Sequence, residues 1–250
     1  MKKRMFQFLL MLTCSAAGIK AQPVTVPLGL GIRDKYVSQM PGTSWSDQVY
    51  ISDVNGQPIK QKYVDVSGSP YFNDVFKVAN IVLTKGNKVL MNVKTRIDLA
   101  DQETHFISAN GVEAFMFAGM VKEVTYADTT ADGILFYKFQ TGFPAIDRQT
   151  VNNFYLVLAE GRCSFLKSIY KRVSEKKTEL SGEIVKEFET YEDYYLIANG
   201  VMKRWKKDKD FVLAELTDKQ IQVNQYLLSN KVNFKNAEQV TKLLTFYNSL

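Results

Sequence analysis

The stretch Lys88 to Leu99, "KVLMNVKTRIDL", is the strongest constraint on how this chain can fold. Val89, Met91, Val93, Ile97 and Leu99 share one parity, while Asn92, Lys94, Arg96 and Asp98 share the other. Alternation with period two predicts a strand with one face buried and one wet, as in an antiparallel sheet. Further β-like runs follow at short intervals, separated by turn chemistry: "KGNK", "ANG", "ADTTADG" and "EGR". Asn55-Gly56 and Asn199-Gly200 are hairpin signals, because both residue types tolerate positive φ. The polar stretch "SEKKTELSGE" reads as a connector ahead of the last hairpin. No helical crossovers separate these runs, which predicts an antiparallel meander, sandwich or partial barrel.

The C-terminal end changes period. "TDKQ" from Thr217 and "NAEQ" from Asn236 match the helix capping box. Behind the second, Ala237, Val240, Leu243, Leu244 and Tyr247 form one apolar stripe at helical spacing. With "DFVLAEL" this predicts two or three short helices, too short to stand alone and therefore packed on the sheet. The expected class is α+β, with a β-rich body over 48–207 and a helical cap over 208–250 forming one domain.

The other end is a leader by its pattern. Lys2, Lys3 and Arg4 precede the short apolar run "MFQFLLMLTCSAAG", and "IKAQ" offers cleavage after Ala21. This predicts a signal peptide over 1–21, followed by an extended or irregular lead-in over 22–47. The run is shorter than the roughly 20 apolar residues of a membrane span. Export to the periplasm or beyond is the expected localisation.

Cleavage changes the charge and cysteine arguments. The full chain carries 32 basic and 26 acidic residues; losing Lys2, Lys3, Arg4 and Lys20 leaves 28 minus 26, or +2. A nearly neutral chain gives no ground for nucleic-acid binding. Cys14 leaves with the leader, so Cys163 has no internal partner and is expected to be a small buried apolar residue.

"GSPYFNDVF", Gly68 to Phe76, raises the question of a site. Pro70 fixes its own φ and pushes Ser69 toward extended geometry, so the segment reads first as a corner leading into the strand Ile81 to Thr84. Its functional reading makes Tyr71 and Asp74 contacts for a ligand or partner. Trp205, within "KRWKKDK", is the third candidate, as a ring at an anionic membrane surface; its competing reading is a wet strand end whose lysines discourage edge pairing. His105, the single histidine, is expected to be exposed at a strand edge. One imidazole without a cysteine cluster falls short of the usual three or four zinc ligands, so no metal, cofactor or catalytic residue is assigned.

The leader, "GSPYFNDVF" and the terminal "LLTFYNSL" together resemble a family of exported bacterial proteins of unknown function. The resemblance implies a Gly-Ser/Thr-Pro-Tyr-x-x-Asp-x-Phe segment, a run of strands, a Tyr-rich hairpin and a helical end. It implies no activity. The expected function is a non-catalytic envelope protein that binds a protein or other envelope component. Two alternatives stand beside it: a carrier for an apolar or lipid-like ligand, suggested by 16 phenylalanines and 13 tyrosines, and an envelope hydrolase.

Overall fold

A computed structural model describes residues 51–52, 58–59, 63, 65–109, 111, 113–131, 133–177 and 182–250. The leader, the lead-in and the Asn55-Gly56 turn lie outside the described residues. β1 (Ile51–Ser52) and β2 (Pro58–Ile59) pair with each other as a separate ribbon. The remaining strands are β3 (Val66–Ser67), β4 (Lys77–Leu83), β5 (Val89–Asp98), β6 (Glu103–Ile107), β7 (Glu113–Met116), β8 (Val121–Thr130), β9 (Gly133–Gln140), β10 (Tyr155–Ala159), β11 (Cys163–Lys177), β12 (Ile184–Ala198) and β13 (Val201–Arg204). They form one open sheet of 11 strands in the order β13-β12-β11-β10-β9-β8-β4-β5-β6-β7, with β3 laid parallel on β12. The class is α+β.

Two meanders meet in this sheet. One runs outward from β4 to β7, and the other runs from β8 to β13 on the opposite side of β4. The link from β7 to β8 has a geometric consequence. Four interstrand spacings separate the two strands, about 19 Å on a flat sheet. Five residue steps from Met116 to Val121 reach at most about 18 Å. The sheet must therefore curl, and the contacts agree: Thr84 N–H donates to the carbonyl of Met120 at 3.0 Å, and Met116 and Val121 share one buried cluster. Ile81, Ile97, Phe106, Val124, Phe139 and Phe154 fill the inside of the curl.

The alternation in β5 is real but changes face midway. Val89 and Met91 are exposed and Leu90 is buried, whereas Val93, Thr95 and Ile97 are buried beyond Asn92. Asn92 has φ +56°, and the ladder with β4 slips a residue between Ala79 and Ile81. The Asn80 side chain accepts from the Asn92 N–H at 3.1 Å and seals this bulge. A bulge shifts every later side chain to the other face. Asp98 keeps the parity of Lys94 and Arg96 and is nonetheless buried, where Tyr71 pairs beside it.

The polar stretch after Val173 begins as strand: residues 174–177 belong to β11, and β12 has already started at Ile184. β11 and β12 pair over their whole length, from Cys163 opposite Ala198 to Lys177 opposite Ile184. Their far ends are laced by Lys176 with Glu187 and Glu189 and by Lys186 with Glu175. Opposite charges facing across a ladder favour pairing that composition alone does not announce. At the other end, Asn199 and Gly200 both take positive φ and close the β12–β13 hairpin.

Three helices cover one end of the sheet: α1 (Lys209–Leu213), α2 (Gln220–Ser229) and α3 (Ala237–Ser249). Asn236 caps α3 by accepting from Gln239 N–H at 3.0 Å, while the Gln239 side chain reaches Asn233 N–H. The expected box at Thr217 is not made. Thr217–Lys219 form a 3-10 turn, and α2 begins without a side-chain cap. Val240, Leu243, Leu244 and Tyr247 are buried against Phe165, Leu196 and Trp205, so helices and sheet share a core. Asn248 fastens the end of α3 to the start of β11: its side chain accepts from Cys163 N–H at 3.0 Å and donates to Cys163 C=O at 2.9 Å.

Candidate functional site

The corner at Gly68 closes a seam. Gly68, at φ +87°, turns the chain away from β12, and residues 69–72 then lie beside the end of β5. Leu99 N–H donates to Pro70 C=O and Phe72 N–H donates to Ile97 C=O, both at 2.9 Å. Lys171 N–H, from β11, donates to Leu99 C=O at 3.1 Å. The Lys171 ammonium donates to the carbonyls of Ser69 and Tyr71, each at 2.7 Å. The corner thus ties together two strands that stand five places apart in the sheet order.

Tyr71 faces a compact polar group on the neighbouring strands. The Arg96 guanidinium sits 3.6 Å above its ring and 4.5 Å from the ring of Phe76. Arg96 Nη2 donates to Glu113 Oε1 at 2.7 Å, and His105 Nδ1 lies at the same distance from that oxygen. The imidazole meets Tyr71 edge-on at 5.2 Å and stacks on Phe115 at 5.6 Å. Its Nε2 points inward, 3.9 Å from Asp98 and 3.9 Å from Glu103, too far for hydrogen bonds. Asp98 accepts from the backbone N–H groups of Ala100 and Asp101 at 2.7 and 2.9 Å.

The expectation of an exposed His105 fails here. Only 7% of the residue is exposed, because β7 lies outside β6 and brings Glu113 and Phe115 over it. Nothing local in "DQETHF" signals that long-range pairing. The two carboxylates respond oppositely to burial. Desolvation raises the Asp98 pKa, and its backbone hydrogen bonds only partly offset this. Desolvation also acts on Glu113, but hydrogen bonds from His105 and Arg96 outweigh it and pull that carboxyl down. Burial pushes the Tyr71 phenol up to about 12. Chemically the group is a clasp: a histidine held by a carboxylate, with its second nitrogen enclosed.

The other two candidates are placed apart. Asp74 is exposed, and only its backbone carbonyl touches Arg96, at 3.5 Å. Trp205 is neither a wet strand end nor a surface ring; 7% of it is exposed. β13 ends at Arg204, and the indole turns under the helices between Phe165 and Tyr194, 5.4 and 5.5 Å away. The lysines around it stay outside, because long charged side chains keep their heads in water while a ring can bury fully. Cys163 is buried as expected, and burial raises its thiol to about 12.

A small cleft lies between Phe72, Asn73, Lys77, Thr95 and Tyr126, with an enclosed volume of about 10 Å³. That is room for about one water molecule. Asn73 donates to Tyr126 Oη at 2.8 Å, and Lys77 pairs with Asp128 at 2.7 Å. Asp128 belongs to β8 and Gly133 opens β9, so strand reaches well into the "ADTTADG" stretch that reads as a turn.

Sequence reasoning missed one feature altogether. Ile134, Leu135 and Phe136 are 61%, 48% and 83% exposed. An unbroken apolar run in a strand reads as buried on both faces; this one is open on both. β8 pairs with β9 along its length, but β10 meets only Phe139 and Gln140 before diverging. Among the described residues, no strand lies against the ladder edge of Ile134–Lys138 on that side.

Comparison with protein-family models, curated proteins and solved structures finds nothing that matches this chain. Among the described residues, no helix is long and apolar enough to cross a membrane.

Proposed function

We propose that this chain is an exported, non-catalytic protein that binds a protein partner in the cell envelope. Membership of the exported family that "GSPYFNDVF" resembles, and cleavage after Ala21, belong to the same proposal. The observation that carries it is the solvent-open apolar edge of β9. An edge of this kind, with no described strand against it and apolar side chains on both faces, is a template for another strand. The enclosure of His105 adds support, since a general base must reach a substrate proton. A carrier of lipid-like ligands finds no support from the cleft at Phe72 and Tyr126, which has room for about one water molecule.

A photo-crosslinking residue at Phe136, compared with one at Asp74, tests the reading in the exporting cell. A protein adduct specific to Phe136, on a chain whose intact mass begins at Gln22, is the expected result. Equal yields at both positions, or a chain retaining Met1, would overturn it.

A further inference from the structure

The exposed edges of this sheet are not alike. On β11 and β12, the stretches beyond the core read "RVSEKK" and "FETYED", with charges that disfavour pairing by a stray strand. β13 and β7 are only four residues each. The β9 edge reads "ILFYK", with no proline and no charge before Lys138. It lacks the guarding found elsewhere, which is the pattern of an edge meant to be occupied.

We propose that its occupant is the β9 edge of a second copy of this chain, paired antiparallel about a two-fold axis normal to the sheet. This inference rests on the reading of β9 as an interaction edge and names its partner. Three features of the edge argue for self-pairing. First, such an axis keeps the sheet faces in common, so residues of equal parity stand opposite one another. Second, the free length fixes the register. Phe139 is already held by β10, so the β8–β9 turn of the second copy must end level with Lys138. That places Leu135 opposite Leu135 on the axis, and Ile134 opposite Phe136 twice. Aliphatic–aromatic pairs then form on the outer face and a leucine pair on the inner one.

Third, the charges agree. Lys138, the only charge along the edge, is already paired with Glu123 and Glu160 of its own chain, at 3.4 and 2.8 Å. In this register the two copies of Lys138 lie at opposite ends of the new ladder, about 20 Å apart. No like charges meet. A different guest strand would have to supply the same apolar run over the same length. The second copy supplies both by symmetry.

Leu135 sitting on the axis makes the proposal sharply testable with the full purified chain. Sedimentation velocity over a concentration series should show a reversible monomer–dimer equilibrium for the wild type. Leu135→Lys and Leu135→Glu each place like charges across the axis and should weaken association about tenfold or more. Mixed one to one, the two variants should associate again. Both should keep the melting midpoint that the wild type shows when dilute enough to be monomeric, because the side chain is half exposed; should either unfold, Phe136→Lys takes its place. A wild type monomeric at every concentration would overturn the proposal, as would a Leu135→Lys chain that dimerises normally or a mixture that stays apart. A monomer that still yields a Phe136 crosslink of heterologous mass would sink self-pairing while leaving the interaction edge standing.

Discussion

The backbone N–H of Lys171 donates to the carbonyl of Leu99 across 3.1 Å, joining the middle of β11 to the chain leaving β5. The sheet is not closed as a ladder, yet its two flanks touch here, with the 69–72 corner filling the remaining gap. The Lys171 side chain does as much as its backbone, holding two carbonyls of the corner. Lys171→Met keeps the stem and removes the donor, leaving those carbonyls short of a partner. It should cost about 1–3 kcal/mol in urea denaturation. An unchanged midpoint would mean that the corner is held without the lysine.

The clasp around His105 makes opposite predictions for its carboxylates. Asp98 has a raised folded pKa, so its stabilising contribution is present below its unfolded value, about 3.9, and is lost as pH rises through the folded value. Asp98→Asn should remove that decline and flatten the stability profile above about pH 4. Glu113 has a lowered folded pKa, so its contribution is present above about 4.3 and is lost as pH falls through the folded value. Glu113→Gln should therefore lower stability at neutral pH and reduce the further loss on acidification. Urea midpoints for both variants between about pH 3 and about pH 7 check the signs.

Breaking the clasp outright should be expensive. Glu113→Ala strands both the imidazole and the guanidinium in a partly buried setting, and should cost about 3 kcal/mol or more. Asp74→Ala removes an exposed carboxylate nearby and should leave the midpoint within about 0.5 kcal/mol. Equal effects would place the energy of this region elsewhere.

Leu243 is wholly buried between α3 and the sheet. Leu243→Ala should cost about 2–5 kcal/mol, and Leu243→Asp should cost more, because an unpaired charge replaces the cavity. A Leu243→Ala chain melting like wild type would show that the helices do not stabilise the sheet.

What could be read in advance follows how far apart in the chain the deciding contacts lie. The stripe from Val240 to Tyr247 was legible because a helix keeps its partners three and four residues apart. The Asn199-Gly200 turn was legible for the same reason. The face of β5 was only half legible, since the bulge depends on Asn80, twelve residues away on another strand. His105 was misplaced because its burial depends on β7, and Trp205 because its burial depends on helices later in the chain. The β9 run was hidden differently: "GILFY" gives no sign that β10 pairs with two residues and then departs.

Cys163 offers a direct probe of the shared core. Its thiol is enclosed and raised to about 12, so a thiol reagent should label it only as the protein unfolds. Labelling at the rate of an unstructured thiol would show that the α3 end opens freely.

The Asn248 amide occupies the edge of β11 much as a neighbouring peptide group would, giving Cys163 both a donor and an acceptor. These partners lie 85 residues apart. A chain made or threaded from its N-terminus must hold Cys163 with this rung missing until α3 has followed it. The rung therefore records whether the helical cap has docked, which makes the start of β11 the last part of the sheet edge to be finished.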